Sequence, residues 1–413
     1  MPLGDALQGL TTLAVIVVGS VLIGSLFNRI GQPRVLGPVV AGITVGTALA
    51  ACPESIRGEL IPTTSRQLLD AAGTAGLFLL MFAAGNELRR FGMRGDASIG
   101  WRALPCVLIP IGASVLAAWP FAARLGVPEH HHEMYGWMFV GIALGITAVP
   151  VLVLIVKDLG IELSPAAQVA LRISVVTDGI AWILVTSLVV VSHASALSPR
   201  TLVIGAGLLV AVVFVMPRVV PRVASLNQGG SAAVMMALSA LVGAAATQLL
   251  GFHPAIGAVI AGLSFPTSLG EASSVRGFTS IVNVLWPAFF VSIAMSVPLQ
   301  ALHEVVSWNG VWCIAVLALV AFGSKLVAGF AFGAANRWPW RQSAKLGVLL
   351  DCRGVTEIAI ASVGFQARLI SPFAFAMLCG LAIATTAVTA PLYRALGTET
   401  TETRETAEVA RAA

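Results

Sequence analysis

Asp178 lies near the middle of an apolar run, Ala166 to Ser192, whose only other charge is Arg172. A second run, Trp308 to Ala335, carries Lys325 as its single charge. An ionised side chain at the centre of a bilayer costs about 3 kcal/mol or more, so neither group persists there without a use or a partner. An acid and a base in separate apolar segments point to a path for ions or protons. Thr177 precedes Asp178, and Ser174 lies one turn earlier on the same helix face. A carboxylate with one or two hydroxyls is a hard-oxygen site suited to a desolvated Na⁺, K⁺ or Li⁺. Low dielectric favours the neutral form of a carboxyl, so protons compete with the metal ion for it. A structural Asp bonded to a neighbouring helix is the alternative reading. Lys325 fits two roles: a partner that Asp178 releases when the cation arrives, or a fixed countercharge that stabilises packing.

The segments that position these groups read as membrane helices. Of 413 residues, 57% are hydrophobic and 10% charged, whereas soluble domains carry about 25% charged residues. The apolar residues come in blocks near the ~20 residues a helix needs to cross a bilayer. Thirteen spans are expected, near 8–27, 35–51, 68–88, 101–124, 135–156, 166–192, 201–217, 232–250, 253–268, 278–300, 308–335, 342–366 and 372–395. The total is twelve if two of them merge. With the N-terminus outside, fourteen Lys and Arg fall in inside loops and five in outside loops. That bias places the C-terminus in the cytoplasm. The polar tail after Gly397 is expected to be disordered.

The fifth and twelfth spans look interrupted. The fifth contains Gly141, Gly145 and Pro150; the twelfth contains Asp351, Arg353, Gly354 and Glu357. Irregular backbone at membrane depth is tolerated only where protein or a wet cavity surrounds it. The two lie seven helices apart, so spans four to six and eleven to thirteen read as related halves of opposite orientation. Paired interrupted helices in inverted halves point to a transporter site at the midplane. Half-helix ends need neutralising. Glu357 and Asp351 suit the positive ends and Arg353 the negative ones, and this charge balance outweighs direct ion binding by them. Thr147, just before Pro150, offers a hydroxyl or a freed carbonyl to an ion.

Other chemistries find no support. No Walker motif, GxGxxG in strand context or HExxH occurs, so neither an ATP-driven pump nor a metalloprotease is expected, and no cofactor is called for. The five cysteines are scattered without a CxxC, and no disulfide or metal site is expected. The basic residues form no tract for nucleic acid. His130, His131 and His132 with Glu133 read as a solvated outside loop rather than a metal site, and His253 before Pro254 as a helix cap. An intramembrane aspartyl protease needs two Asp residues; Asp178 has only Asp351 as a mate, without a GxGD. A passive channel lacks a repeated filter-like sequence.

Several stretches, in order, resemble the monovalent cation:proton antiporters, specifically cation:proton antiporter family 2. They are RIGQPRVLGPVVAGITVGTAL (Arg29 to Leu49), GLFLLMFAAGNELRR (Gly76 to Arg90), HPAIGAVIAGL (His253 to Leu263), WPAFFVSIAMSV (Trp286 to Val297) and CRGVTEIAI (Cys352 to Ile360). The resemblance implies an all-α membrane protein of about thirteen helices, with an inverted-repeat antiporter fold and two crossing discontinuous helices. It implies a homodimer whose core domain moves as an elevator in the inner membrane. On that pattern residues 1–100 and 223–303 form the dimerisation domain, 101–195 and 304–396 the core, 196–222 a linker helix and 397–413 the tail. The family's ion-binding Asp falls on Asp178, its core Lys on Lys325, its first-crossing Thr on Thr147 and its RG…E pattern on Arg353, Gly354 and Glu357.

Two departures stand out. Thr177 replaces a second site acid found in many members, so an electroneutral one-for-one exchange is expected unless Lys325 titrates. Pro38 replaces an acid often seen in the second helix. The expected function is therefore exchange of Na⁺ or K⁺ for H⁺, not an enzyme activity, with Asp178, Thr177, Ser174 and Thr147 at the ion. Lys325, Glu357, Arg353 and Asp351 serve coupling or charge compensation. No metal is expected beyond the transported cation, and no partner beyond membrane lipid and a second copy. The rival is a proton- or sodium-coupled transporter of a small organic solute on the same scaffold, which calls for an apolar or aromatic cavity larger than an ion site.

Overall fold

The computed structural model describes residues 36–53, 63–90, 101–127, 133–193, 199–215, 231–265, 272–295 and 299–397, with isolated positions elsewhere. Fifteen helices matter here: α1 Leu36–Ala51, α2 Thr63–Arg90, α3 Leu104–Ala118, α4 Glu133–Gly145, α5 Val149–Leu159, α6 Pro165–His193, α7 Pro199–Val210, α8 Ser231–Leu249, α9 Pro254–Ser264, α10 Ala272–Met295, α11 Leu299–Val306, α12 Trp308–Asn336, α13 Trp340–Leu350, α14 Val355–Gln366 and α15 Pro372–Ala395. No strand is present among the described residues, where Gly126 and Ile370 form an isolated β-bridge. Most of the expected first span, His130–His132 and the tail from 398 lie outside the described residues.

Local chemistry sets the helix ends. Ser307 and Ser371 cap α12 and α15 by accepting from Gly310 N and Ala374 N, each at 3.1 Å. Pro372 then opens α15, where its missing N–H costs nothing. The His253 ring caps α9, with Nδ1 accepting from Ala255 N at 3.2 Å, as expected for a His ahead of Pro254. Gly160, at φ 65°, ends α5 in the left-handed conformation typical of a helix stop.

Seven stretches among the described residues are long and apolar enough to cross a membrane: within α2, α3 with its extension to Leu125, α4–α5, α6, within α10, α12 and α15. Leu108 and Leu116 of α3, Val203 of α7 and Leu319 and Val327 of α12 are largely exposed, as suits helices facing hydrocarbon. The stretch over α13 and α14 is not among the seven. It is split into pieces of 11 and 12 residues and carries Asp351, Arg353 and Glu357 between and within them.

The helices sort into two packed groups. In one, α2 packs on α9 and α10, α10 on α1, and α8 on α7 and α9. In the other, α3 packs on α4 and α12, α12 on α13, α6 on α13, and α14 on α15. Loops expected on one side meet there. Ser371 N donates to Leu125 O at 2.9 Å, and Ser371 Oγ to Arg124 O at 2.6 Å. At the opposite face Arg89 donates to Leu263 O at 2.9 Å and Arg102 to Asn336 Oδ1 at 3.1 Å.

Both expected interruptions are present, α4 stopping before 146–148 and α13 before 351–354. The cause of the first differs from the expectation. Gly141 and Gly145 are not the hinge; they lie against the backbones of Val115 and Ile111, letting α4 approach α3 closely. Gly329 and Gly347 do the same for α12 and α13: a Cβ on Gly329 would sit 2.6 Å from Gly347 N. Lys345, one of the fourteen basic residues counted to inside loops, is instead fully buried in α13, its ammonium 5.7 Å from the Tyr393 ring centroid.

Gly354 is the one residue at the second break whose backbone demands glycine, with φ 144° and ψ −120°. A Cβ there would also sit 2.6 Å from Val151 Cγ2. We expect Gly354→Ala to destabilise the fold by about 1–3 kcal/mol through this strain, seen as a lowered midpoint of thermal unfolding in detergent.

Candidate functional site

The two breaks meet each other. Ala148 N donates to Cys352 O at 2.9 Å, and Thr147 Oγ1 donates to Leu350 O at 2.5 Å. Thr386 of α15 reaches the second break, donating to Arg353 O at 2.7 Å. Backbone groups freed by each break are thus taken up by another segment, as a dry interior requires.

Each break also creates helix ends with opposite partial charge, about half an elementary charge apiece. The negative end of α4 attracts both nearby cations. Lys325 Nζ donates to Ile146 O at 2.5 Å, and Arg353 Nη2 donates to Leu144 O. Two carboxylates balance them. Asp351 Oδ1 lies 3.6 Å from Lys325 Nζ and 3.4 Å from Arg353 Nε, while Glu357 Oε1 accepts from Arg353 Nη1 at 2.8 Å. All four side chains are almost wholly buried. Two cations against two carboxylates make a network of zero net formal charge.

This bears on two expectations. The ion partner of Lys325 in this structure is Asp351, where a pairing with Asp178 was one of two expected arrangements. Asp351 does not sit at a positive helix end: it is the C-terminal cap residue of α13, a negative end, and is held there by the two cations. Glu357 does occupy the first turn of α14, and Arg353 does serve a negative end.

Asp178 stands apart from the network, buried on α6. Its Oδ2 accepts from Val149 N at 3.4 Å, the first N–H of α5. Residue 148 supplies no side-chain cap, so the carboxylate arriving from α6 does that work at a positive helix end. Its Oδ1 is buried without a hydrogen-bond partner in the protein. The other side of Asp178 faces a cavity of about 360 Å³ between the two helix groups. Ala84, Pro150, Trp182, Leu209, Phe252 and Ile256 are among its largely apolar lining, in which Asp178 is the charged residue. Trp182, one turn beyond Asp178, stacks on His253 with ring centroids 4.2 Å apart and planes at 16°.

The hydroxyls expected near the ion are present but engaged. Ser174 donates to Leu171 O and Thr177 to Ile173 O, both at 2.8 Å within α6. Thr147 is committed to Leu350, as above. Sequence reasoning passed over Thr356, which is fully buried in the first turn of α14 and neighbours Asp178. Its place inside the charged RGVTE cluster was the available signal, and the charges around it drew the attention instead. The capping N–H of Val149 was missed because a backbone group leaves no mark in composition.

The transmembrane sodium/hydrogen exchanger family model matches residues 14–395. The chain is 28% identical over 405 residues to the Na(+)/H(+) antiporter NhaS4 of Synechocystis, covering 93% of this chain and 95% of that one. It is 26% identical over 386 residues to K(+)/H(+) antiporter 1 of Saccharomyces cerevisiae, covering 89% of this chain but 44% of that one. Cation/H(+) antiporter 17 of Arabidopsis thaliana is 27% identical over 404 residues, covering 93% and 48%. The chain therefore spans about half the length of the yeast and plant relatives. Among solved structures, the sodium proton antiporter MjNhaP1 of Methanocaldococcus jannaschii superposes with a TM-score of 0.63 over 95% of this chain and 99% of that one. At 16% identity, that likeness speaks for the fold.

Removing one member of a buried ion pair strands its partner, at about 3–5 kcal/mol. We expect Lys325→Met to lower stability by that order. Asp351→Asn should cost less on the Lys325→Met background than in the wild type, since Arg353 and Glu357 remain a neutral pair. Unfolding of the two single variants and the double variant in detergent measures this coupling.

Proposed function

The chain belongs to the sodium/hydrogen exchanger family, and on that premise we propose that it is a secondary antiporter exchanging Na⁺ or K⁺ for H⁺. The observation that carries this reading is the lone carboxylate. The charges beside the two breaks already cancel, so Asp178 is the excess acid, and it has an oxygen without a partner. A proton or a monovalent cation neutralises it equally well, and one excludes the other. That competition couples the two fluxes.

The two packed groups, with a cavity between them at Asp178, support alternating access by movement of one group against the other. In this reading α3–α6 and α12–α15 are inverted halves of a moving core whose broken helices cross. Helices α1, α2 and α8–α10 belong to the static, dimer-forming part. Ser174, Thr177 and Thr147 line the ion's surroundings, with their hydroxyl protons turned to carbonyls and oxygen lone pairs still available. Lys325 and Arg353 hold the negative helix ends, and Asp351 and Glu357 keep the core neutral. The excess of Lys and Arg on one set of loops supports a cytoplasmic C-terminus in the inner membrane.

One observation favours the rival. A largely apolar cavity of about 360 Å³ with aromatic walls is larger than a bare cation needs. Flux driven by Na⁺ or K⁺ with no organic solute present decides for cation exchange. Flux that appears only with such a solute decides for the rival.

Asp178→Asn in proteoliposomes should reduce cation-driven proton flux to the level of protein-free vesicles; full retention would overturn the assignment. In the wild type, protons at low pH occupy the carboxyl, so the half-saturating cation concentration should rise as pH falls. Over the range where the acid is mostly protonated, competition predicts about a tenfold rise per pH unit, one proton displacing one cation. Imposed membrane potential should leave the rate unchanged if one cation exchanges for one proton.

A further inference from the structure

Of the buried hydroxyls around Asp178 and the two breaks, most are spent. Thr147, Ser174, Thr177 and Thr386 each donate to a backbone carbonyl at 2.5–2.8 Å. Thr356 differs. It is fully buried, its Oγ1 donates to no backbone carbonyl, and the polar group it faces is the Asp178 carboxylate. Oδ1 of Asp178 likewise meets no backbone N–H. Leaving one buried polar group unmet costs about 1–3 kcal/mol. A carboxylate oxygen and a hydroxyl oxygen that have only each other, beside a cavity, mark a place where a ligand completes the coordination.

The surroundings specify that ligand. Val149 N–H holds Oδ2, which fixes the carboxylate and leaves Oδ1 directed elsewhere. Thr356 occupies the first turn of α14, next to Glu357, whose Oε1 is tied to Arg353. Glu357 Oε2 also lacks a partner, yet its carboxylate charge is already matched by that guanidinium. An anion at this point would meet an uncompensated carboxylate. A proton or a hard monovalent cation meets a carboxylate oxygen and a neutral hydroxyl oxygen, both suited to it.

We infer that Thr356 is a further ligand of the transported cation, its Oγ1 and Asp178 Oδ1 holding the ion between the first turn of α14 and α6. When a proton replaces the cation, the same hydroxyl oxygen accepts the Asp178 O–H, so one side chain serves both halves of the exchange. This inference rests on the antiport reading above.

The test uses protection of the full-length protein against thermal unfolding in detergent by NaCl and by KCl, with N-methylglucamine chloride holding ionic strength. Flux assays in proteoliposomes run alongside. For the protecting cation, Thr356→Val should raise the half-saturating concentration about tenfold in both measurements, as fits loss of one oxygen ligand. Thr356→Ser, which keeps the oxygen, should stay within about threefold of the wild type. Thr356→Ala replaces the valine variant if that one fails to fold. An unchanged half-saturating concentration in the valine or alanine variant overturns the inference, as does a serine variant as impaired as they are. Asp178→Asn separates the two claims. If it abolishes protection while Thr356→Val leaves the midpoint alone, only the role of Thr356 falls. If Asp178→Asn keeps both wild-type protection and wild-type flux, the antiport reading falls with it.

Discussion

Interrupting a helix inside an apolar medium frees N–H and C=O groups that water cannot reach, and most features of this site follow from how those groups are met. The two interruptions answer each other: Ala148 bonds to Cys352, and Thr147 bonds to Leu350. Lys325 and Arg353 take the carbonyls at the end of α4, and Thr386 takes the carbonyl of Arg353. Neither break can shift by itself without orphaning the groups of the other. The pair therefore behaves as one stiff unit, with its irregular backbone buried on all sides.

Meeting carbonyls with cations brings charge into the interior, and the charge has to be cancelled there. Asp351 and Glu357 do so, which gives the four-residue network its composition. The positive helix ends bring no further cation: Glu357 of the cluster already lies in the first turn of α14. The start of α5 is met by Asp178, and the start of α14 brings Thr356 to the same place. Opposite ends of the broken helices thus end up with different chemistry: an ionic cluster whose charges cancel on one side, a carboxylate with no countercharge on the other. Only the second carries a charge that the protein itself leaves uncompensated.

Much of this was legible in the residues. Asp178 and Lys325 stood out because single charges in long apolar runs are expensive, and both are buried. The interruptions were visible because RGVTE places charge and a glycine where an unbroken helix would not tolerate them. Partnership was harder to read. Asp351 and Lys325 lie on separate helices, and sequence spacing says nothing of which of two acids a distant lysine will reach. Gly141 and Gly145 show the opposite error: a glycine inside a helix signals either a hinge or a close neighbour, and here the neighbour is α3. Lys345 read as a loop charge because the helix boundary near Trp340 could not be placed well enough to bury it.

The unpartnered oxygen of Asp178 has a consequence for how tightly the proposed exchange is enforced. A carrier holding either passenger presents no excess charge to the apolar cavity wall beside it, whereas one that has released both presents a bare carboxylate. Taking that bare charge through a dry, apolar zone costs about 3 kcal/mol, enough to slow an idle transit roughly a hundredfold relative to a loaded one. Under the proposed exchange, solvation energy itself then suppresses slippage without a separate gate to forbid the empty journey.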